Sequence, residues 1–218
     1  MTDNVQRYSR PARWFHAFVY LAVLVLLGTG WWFVTGGYRR DSPLAAVTGL
    51  PDTAIHEYAG FVMIAVIVTG LVLGARGVAT FVRESVTYRR SDGRWLARWP
   101  RAAFTGRFPA HSGHFDPGQR LANVVMVVTL LALMLSGLGL LYLPADALGG
   151  AVLPTHRWAT FLVTPVILGH IVVASGVLPG YRGVWRSMHL GGRLPADVAH
   201  RIWPEATARR TTPPPPGA

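Results

Sequence analysis

THRWATFLVTPVILGHIVVASGVLPGY, residues 155–181, decides the fold. It carries His156 and His170, and the only charged side chain between them is Arg157. On a helix at 100° per residue, that spacing returns to within about 40° of the starting direction, about 21 Å further along the axis. Both rings therefore leave one face of a helix long enough to cross a hydrocarbon core about 30 Å thick. One histidine lies near one surface, and the other lies towards the opposite surface.

Three more stretches have the same character: Trp14 to Gly37, Thr53 to Ala75 and Leu121 to Ala145. Their only acidic or basic residue is Glu57, in the first turn of the second. The chain as a whole has mean hydropathy +0.32 and 14% charged residues, too apolar for an ordinary soluble domain. The first stretch exceeds a signal-peptide core and is read as an uncleaved span. The expected fold class is an all-α membrane protein, a four-transmembrane-helix bundle. Its helices fall at about 13–37, 53–75, 119–145 and 154–181, within a transmembrane domain covering 1–181. A polar tail, 182–218, follows. Its final Thr-Thr-Pro-Pro-Pro-Pro-Gly-Ala is expected to be disordered.

The 21 basic residues are all arginine, and the net charge is +11. Because they cluster beside apolar runs, the surplus points to a membrane surface and its lipid, and not to nucleic acid. Three lie in 1–13, nine in 76–120 and six in 182–218, against only Arg39, Arg40 and Arg157 elsewhere. The positive-inside rule then places both termini and the middle segment in the cytoplasm, for a multi-pass protein of the bacterial cytoplasmic (inner) membrane. The interleaving of Trp95, Trp99, Phe104 and Phe108 with arginines in 76–118 predicts short interfacial helices with aromatic rings at headgroup depth. Absence of cysteine excludes disulfides, Cys-ligated iron–sulfur clusters and covalently attached haem.

Orientation fixes depth. His16 starts the outward first helix, near the cytoplasmic face. His56 starts the inward second helix, near the outer face. His156 and His170 begin and continue the inward fourth. The four sort into an outer pair, His56 with His156, and an inner pair, His16 with His170. Two pairs of neutral imidazoles inside a helical bundle suit the iron of two b-type haems. No Asp or Glu lies mid-helix, so a proton relay fits poorly. Glu57 is expected to cap its helix, Pro165 to kink the fourth, and Met63, Met126 and Met134 to pack. His111, His114, His189 and His200 sit in polar segments and are expected to be solvated.

Several pieces resemble the cytochrome b (gamma) subunit of membrane-bound formate dehydrogenase: Arg13-Trp14-Phe15-His16, Ile55-His56-Glu57-Tyr58-Ala59-Gly60, Phe115-Asp116-Pro117-Gly118-Gln119-Arg120, and the His156/His170 spacing. The resemblance covers nearly the whole chain. It implies a non-catalytic subunit of an oxidoreductase, carrying two haem b groups. Formate would be oxidised in a molybdenum- or tungsten-containing alpha subunit, with electrons passing through an iron–sulfur beta subunit and this chain to quinone. It further implies quinone contacts at Asp116, Gly118, Gln119 and His170. The family usually has Asn-Ala-Gly-Gln where this chain has Asp-Pro-Gly-Gln, so an amide donor is replaced by a carboxylate. Asp-Pro-Gly is also a good turn and helix start in its own right. A cytochrome b subunit of a nickel–iron hydrogenase or thiosulfate-type reductase, a haem-free scaffold or transporter, and a higher oligomer of the complex all stay open at this point.

Overall fold

The computed structural model describes residues 4–36 and 40–204. Among these are nine α-helices: α1 Arg10–Val34, α2 Pro43–Thr48, α3 Asp52–Leu73, α4 Ala75–Val86, α5 Arg90–Thr105, α6 Pro117–Tyr142, α7 Val152–Ala174, α8 Arg186–His189 and α9 Ala196–Ile202. There are also two short strands, β1 Asn4–Gln6 and β2 Arg193–Pro195. Four helices, α1, α3, α6 and α7, are long and apolar enough to cross a membrane. The protein is a four-transmembrane-helix bundle. Its spans are apolar on nearly every face, as lipid-immersed helices are.

Helix ends follow from local chemistry. Ser9 precedes α1, and its hydroxyl accepts from the Ala12 N–H at 3.4 Å, with Pro11 in the first turn. α3 starts at Asp52, which is buried and accepts from the Ser42 N–H at 2.9 Å and the Ser42 hydroxyl at 2.5 Å. The first-turn carboxylate of α3 is thus Asp52, and the expected cap Glu57 is exposed. α7 runs through Pro165 and ends at Ala174, short of residue 181. Gly176 then adopts φ +74°, and a Cβ there would lie 3.0 Å from the Tyr181 carbonyl oxygen. A 3-10 turn, Pro179–Tyr181, follows.

Two compact units divide the chain. One comprises residues 14–76 and 125–166 and holds most of the length of the spans. The other joins the N-terminal residues 1–13, the segment 77–124 and the residues from 167 onward. In this second unit β1 pairs antiparallel with β2, Val5 opposite Leu194. The segment before α1 and the tail therefore meet, which an even number of spans permits by placing them on one side. A core of Ala103, Tyr181, Leu194, Val198, Ala199, Ile202 and Trp203 lies beneath them. The tail's final residues lie outside the described residues, as does Arg39.

Not every aromatic ring of this polar unit lies at the surface: Phe104 is exposed, but Trp95 is not. Trp95 is 2% exposed; it stacks on Phe108 and donates to the Pro109 carbonyl at 3.1 Å. Its indole finds its polar partner inside the protein, so it has no need of a headgroup. Trp99 donates to the Tyr181 hydroxyl at 2.8 Å. His111, expected in solvent, is buried, with Nε2 2.7 Å from the Ile202 carbonyl oxygen. Arg7 donates to the His114 carbonyl at 2.6 Å and lies 4.2 Å from the Trp203 ring centroid.

Arg120 is the centre of the polar packing. It is 2% exposed and pairs with Asp92 at 3.0 Å. It also donates to the carbonyls of Phe115 (3.0 Å), Thr87 (2.9 Å) and Ser112. Asp92 in turn accepts from the Arg89 N–H at 2.9 Å, reaching back to cap α5. Breaking a buried ion pair by removing one partner costs about 3–5 kcal/mol. Asp92→Asn is expected to destabilise this unit by that order, seen as lost hydrogen-exchange protection over residues 89–120, with the spans retaining theirs.

Candidate haem and quinone sites

His56 on α3 and His156 on α7 come together in the membrane-spanning unit. Their ring centroids are 6.1 Å apart and the planes are inclined at 73°. Two imidazoles bound across one metal ion, with metal–nitrogen bonds of about 2 Å, have centroids roughly 6 Å apart. Phe33 meets His56 edge-on at 5.7 Å.

Hydroxyl groups decide which ring nitrogen is available. The Thr29 hydroxyl on α1 donates to the Val25 carbonyl at 2.8 Å and lies 2.6 Å from His56 Nδ1. Its one proton is engaged by the carbonyl, so it accepts from Nδ1–H. Ser136 on α6 repeats the arrangement. Its hydroxyl donates to the Ala132 carbonyl at 2.5 Å and lies 2.9 Å from His156 Nδ1. Both histidines are thereby held as the Nδ1–H tautomer, with the Nε2 lone pair left for a metal. Glycines leave space beside the rings: a Cβ on Gly30 would stand 3.6 Å from His56 Cε1, and one on Gly137 would stand 3.4 Å from His156 Cε1. No third ligand joins them, since no group of three or more His, Cys, Asp or Glu suited to a metal occurs among the described residues. Two neutral imidazoles with room at their flanks fit a metal whose remaining positions are filled by a macrocycle.

The residues matched by the model of the prokaryotic cytochrome b561 family are 7–191. The chain belongs to the prokaryotic cytochrome b561 family. Membership makes this a membrane cytochrome b, an electron-transfer protein that binds haem b, and with its four spans a multi-pass prokaryotic membrane protein. The search of curated proteins found no match.

The other expected site residues of this cytochrome b lie as follows. His16, on α1 in the membrane-spanning unit, is half-buried with its ring 5.6 Å from that of Tyr20. His170, half-buried on α7, belongs to the second unit. Asp116, Gly118 and Gln119 share the second unit with it. Asp116 is buried, and its Oδ1 accepts from the Gln119 N–H at 2.8 Å, the bond of an N-cap residue at the start of α6. A Cβ on Gly118 would come 3.2 Å from Trp95, so the turn packs closely on α5. Gln119 Oε1 is buried without a hydrogen-bond partner among the described residues. Sequence reasoning missed Thr29 and Ser136. The signal was there in outline, a hydroxyl residue in each of the two spans that do not carry the outer pair.

Burial raises the Asp116 carboxyl above the usual range, against the lowering influence of the Gln119 N–H, His111, the Gly118 N–H and Arg7. Burial, joined by the charge of Asp116, likewise raises the Tyr181 phenol. A carboxyl raised on folding contributes stability that is full below its unfolded value, about 4, and lost as pH rises through the folded value. Asp116→Asn keeps the cap and removes the titration. Thermal midpoints from pH 4 upward should fall in the native chain relative to those of the variant. Separately, Thr29→Val or Ser136→Ala removes an Nδ1 acceptor and should lower haem affinity by about 10–100-fold, read by haem titration.

Proposed function

We propose that this chain is the di-haem b membrane anchor of a respiratory formate dehydrogenase, passing electrons from an iron–sulfur subunit across the membrane to quinone. The observation that carries the electron-transfer part is the His56/His156 pair, with both Nδ1 atoms committed to hydroxyls. Haem b supplies one-electron redox chemistry when bound. His56 and His156 would hold it at the outer position, with Thr29 and Ser136 orienting their rings. A second haem is assigned to His16 and His170 from the order and direction of the spans. The arginine distribution supports a cytoplasmic location for both termini, in the bacterial cytoplasmic membrane.

Asp116, Gly118, Gln119 and His170 are assigned to the quinone. Asp116 holds the turn through its cap bond, and Gly118 lets the turn approach Trp95. Gln119 offers the recognition group: its Oε1 has no hydrogen-bond partner among the described residues, and an amide can both donate and accept. The formate dehydrogenase assignment rests on the Gly118-Gln119 turn and the histidine pattern.

The full chain purified from haem-replete cells should give a reduced b-type visible spectrum with two haems per chain. His56→Ala should remove one, and a spectrum without haem would overturn the reading. In membranes, His170→Ala should stop quinone reduction while formate oxidation with an artificial acceptor persists. Gln119→Ala should raise KM for quinone with haem content unchanged. Co-purification of hydrogenase subunits in place of formate dehydrogenase subunits would overturn the choice of partner alone.

A further inference from the structure

A polar cavity in the second unit has no part in the haem or quinone assignments. Its volume is about 210 Å³ and its lining is Arg83, Glu84, Thr87, Arg89, Ser112, Gly113 and Arg120. Arg120 is matched by Asp92. Glu84 accepts from the His114 N–H at 2.9 Å. Arg83 and Arg89 are exposed, and among the described residues no ion pair engages either. Three guanidinium groups and one carboxylate, Glu84, thus line the cavity, and with Asp92 matching Arg120 from outside the lining one positive charge is left. A phosphodiester carries one negative charge and presents oxygens that guanidinium forks match well.

The helix bearing Arg83 also supplies an apolar surface. Gly74 alone separates the span α3 from α4, so α4 begins where the chain leaves the hydrocarbon. Its inner side packs through Phe81, edge-on to Phe115, and through buried Ser85. Ala79, Val82 and Val86 lie along a different face at helical spacing and are exposed, Val82 by 50% and Val86 by 59%. Arg83 borders that stripe. Apolar residues left exposed beside a basic pocket, on a helix emerging from a span, have the character of an interfacial helix.

We propose that Arg83 and Arg89 form the headgroup site for one anionic phospholipid, its phosphodiester entering the cavity beside Arg120 and its acyl chains lying along Ala79, Val82 and Val86. The occupant is a lipid, because a free anion would make no use of the apolar stripe. None of Asp116, Gly118, Gln119 or His170 lines this cavity, so the site is separate from the proposed quinone contacts.

The test uses the full haem-loaded chain, delipidated in detergent and titrated with phosphatidylglycerol or phosphatidylcholine, with bound lipids counted by native mass spectrometry. Phosphatidylglycerol should bind in preference. Arg83→Gln with Arg89→Gln should weaken it about thirtyfold, two surface arginines being removed. Val82→Asn with Val86→Asn should weaken it too, whereas Arg98→Gln with Arg101→Gln on exposed α5 positions should leave it unchanged. Should the double arginine variant lose its haem spectrum or helix content, Arg83→Gln alone serves, with an expected loss of about fivefold. Equal binding of phosphatidylcholine overturns the proposal, as does unchanged phosphatidylglycerol binding in the arginine variants. Displacement by inorganic phosphate or glycerophosphoglycerol at concentrations comparable to the lipid would show a small-anion site and overturn the lipid assignment.

Discussion

Two side-chain hydroxyls within the spans set the chemistry of the outer histidine pair. In hydrocarbon no water is present to satisfy a ring N–H, so each imidazole must find a partner inside the bundle. Thr29 and Ser136 can serve because each passes its own proton back to a carbonyl one turn earlier on its helix. The direction of each bond is thereby fixed, and so is the tautomer. Both Nε2 atoms are left as acceptors, the form in which imidazole binds a metal. A carboxylate in place of either hydroxyl would orient the ring as well, but would bring a charge into the apolar layer.

The second unit meets the opposite requirement. It gathers three separate segments that the arginine count assigns to one side, and it does so around cations. Arg120 and Arg7 are buried; Arg120 bonds chiefly to backbone carbonyls, which gives its guanidinium several acceptors at fixed directions, and Arg7 bonds to the carbonyl and ring of His114. Arg83, Arg90, Arg94, Arg98 and Arg101 stay exposed. The same residue type therefore does two jobs, fastening loops that no apolar core would hold and carrying the surface charge that orients the chain.

The four spans were legible because each is a local property, a run of apolar residues of sufficient length. The expected pairing of His56 with His156 came from chain direction, and their rings do meet. What the sequence left open depended on contacts between distant segments. The pairing of Val5 with Leu194 joins residues nearly a chain apart. Trp95 looks like a headgroup residue until Phe108 and the Pro109 carbonyl meet it, and His111 like a solvent residue until Ile202 of the tail supplies the carbonyl that it meets. Glu57 had the position of a cap, yet it is exposed, and the carboxylate in the first turn of α3 is Asp52, held by two donors of Ser42 across the α2 turn. Asp116 read as a ligand contact and as a helix start, and the bond from the Gln119 N–H shows the second of these.

That bond also sharpens what the turn before α6 can recognise. An aspartate whose Oδ1 is held by the backbone is fixed in place, and its neighbour Gln119 is presented at a defined angle. A buried carbonyl left without a donor costs about 1–3 kcal/mol, and Gln119 Oε1 bears that cost in the chain alone. Under the proposed function a bound quinol hydroxyl removes it by donating to Oε1, while the carbonyl of the oxidised ring accepts from the same amide. One side chain then serves both redox states of the ring. Asp116 itself need only cap the helix under that proposal, a role that aspartate and asparagine both fill well.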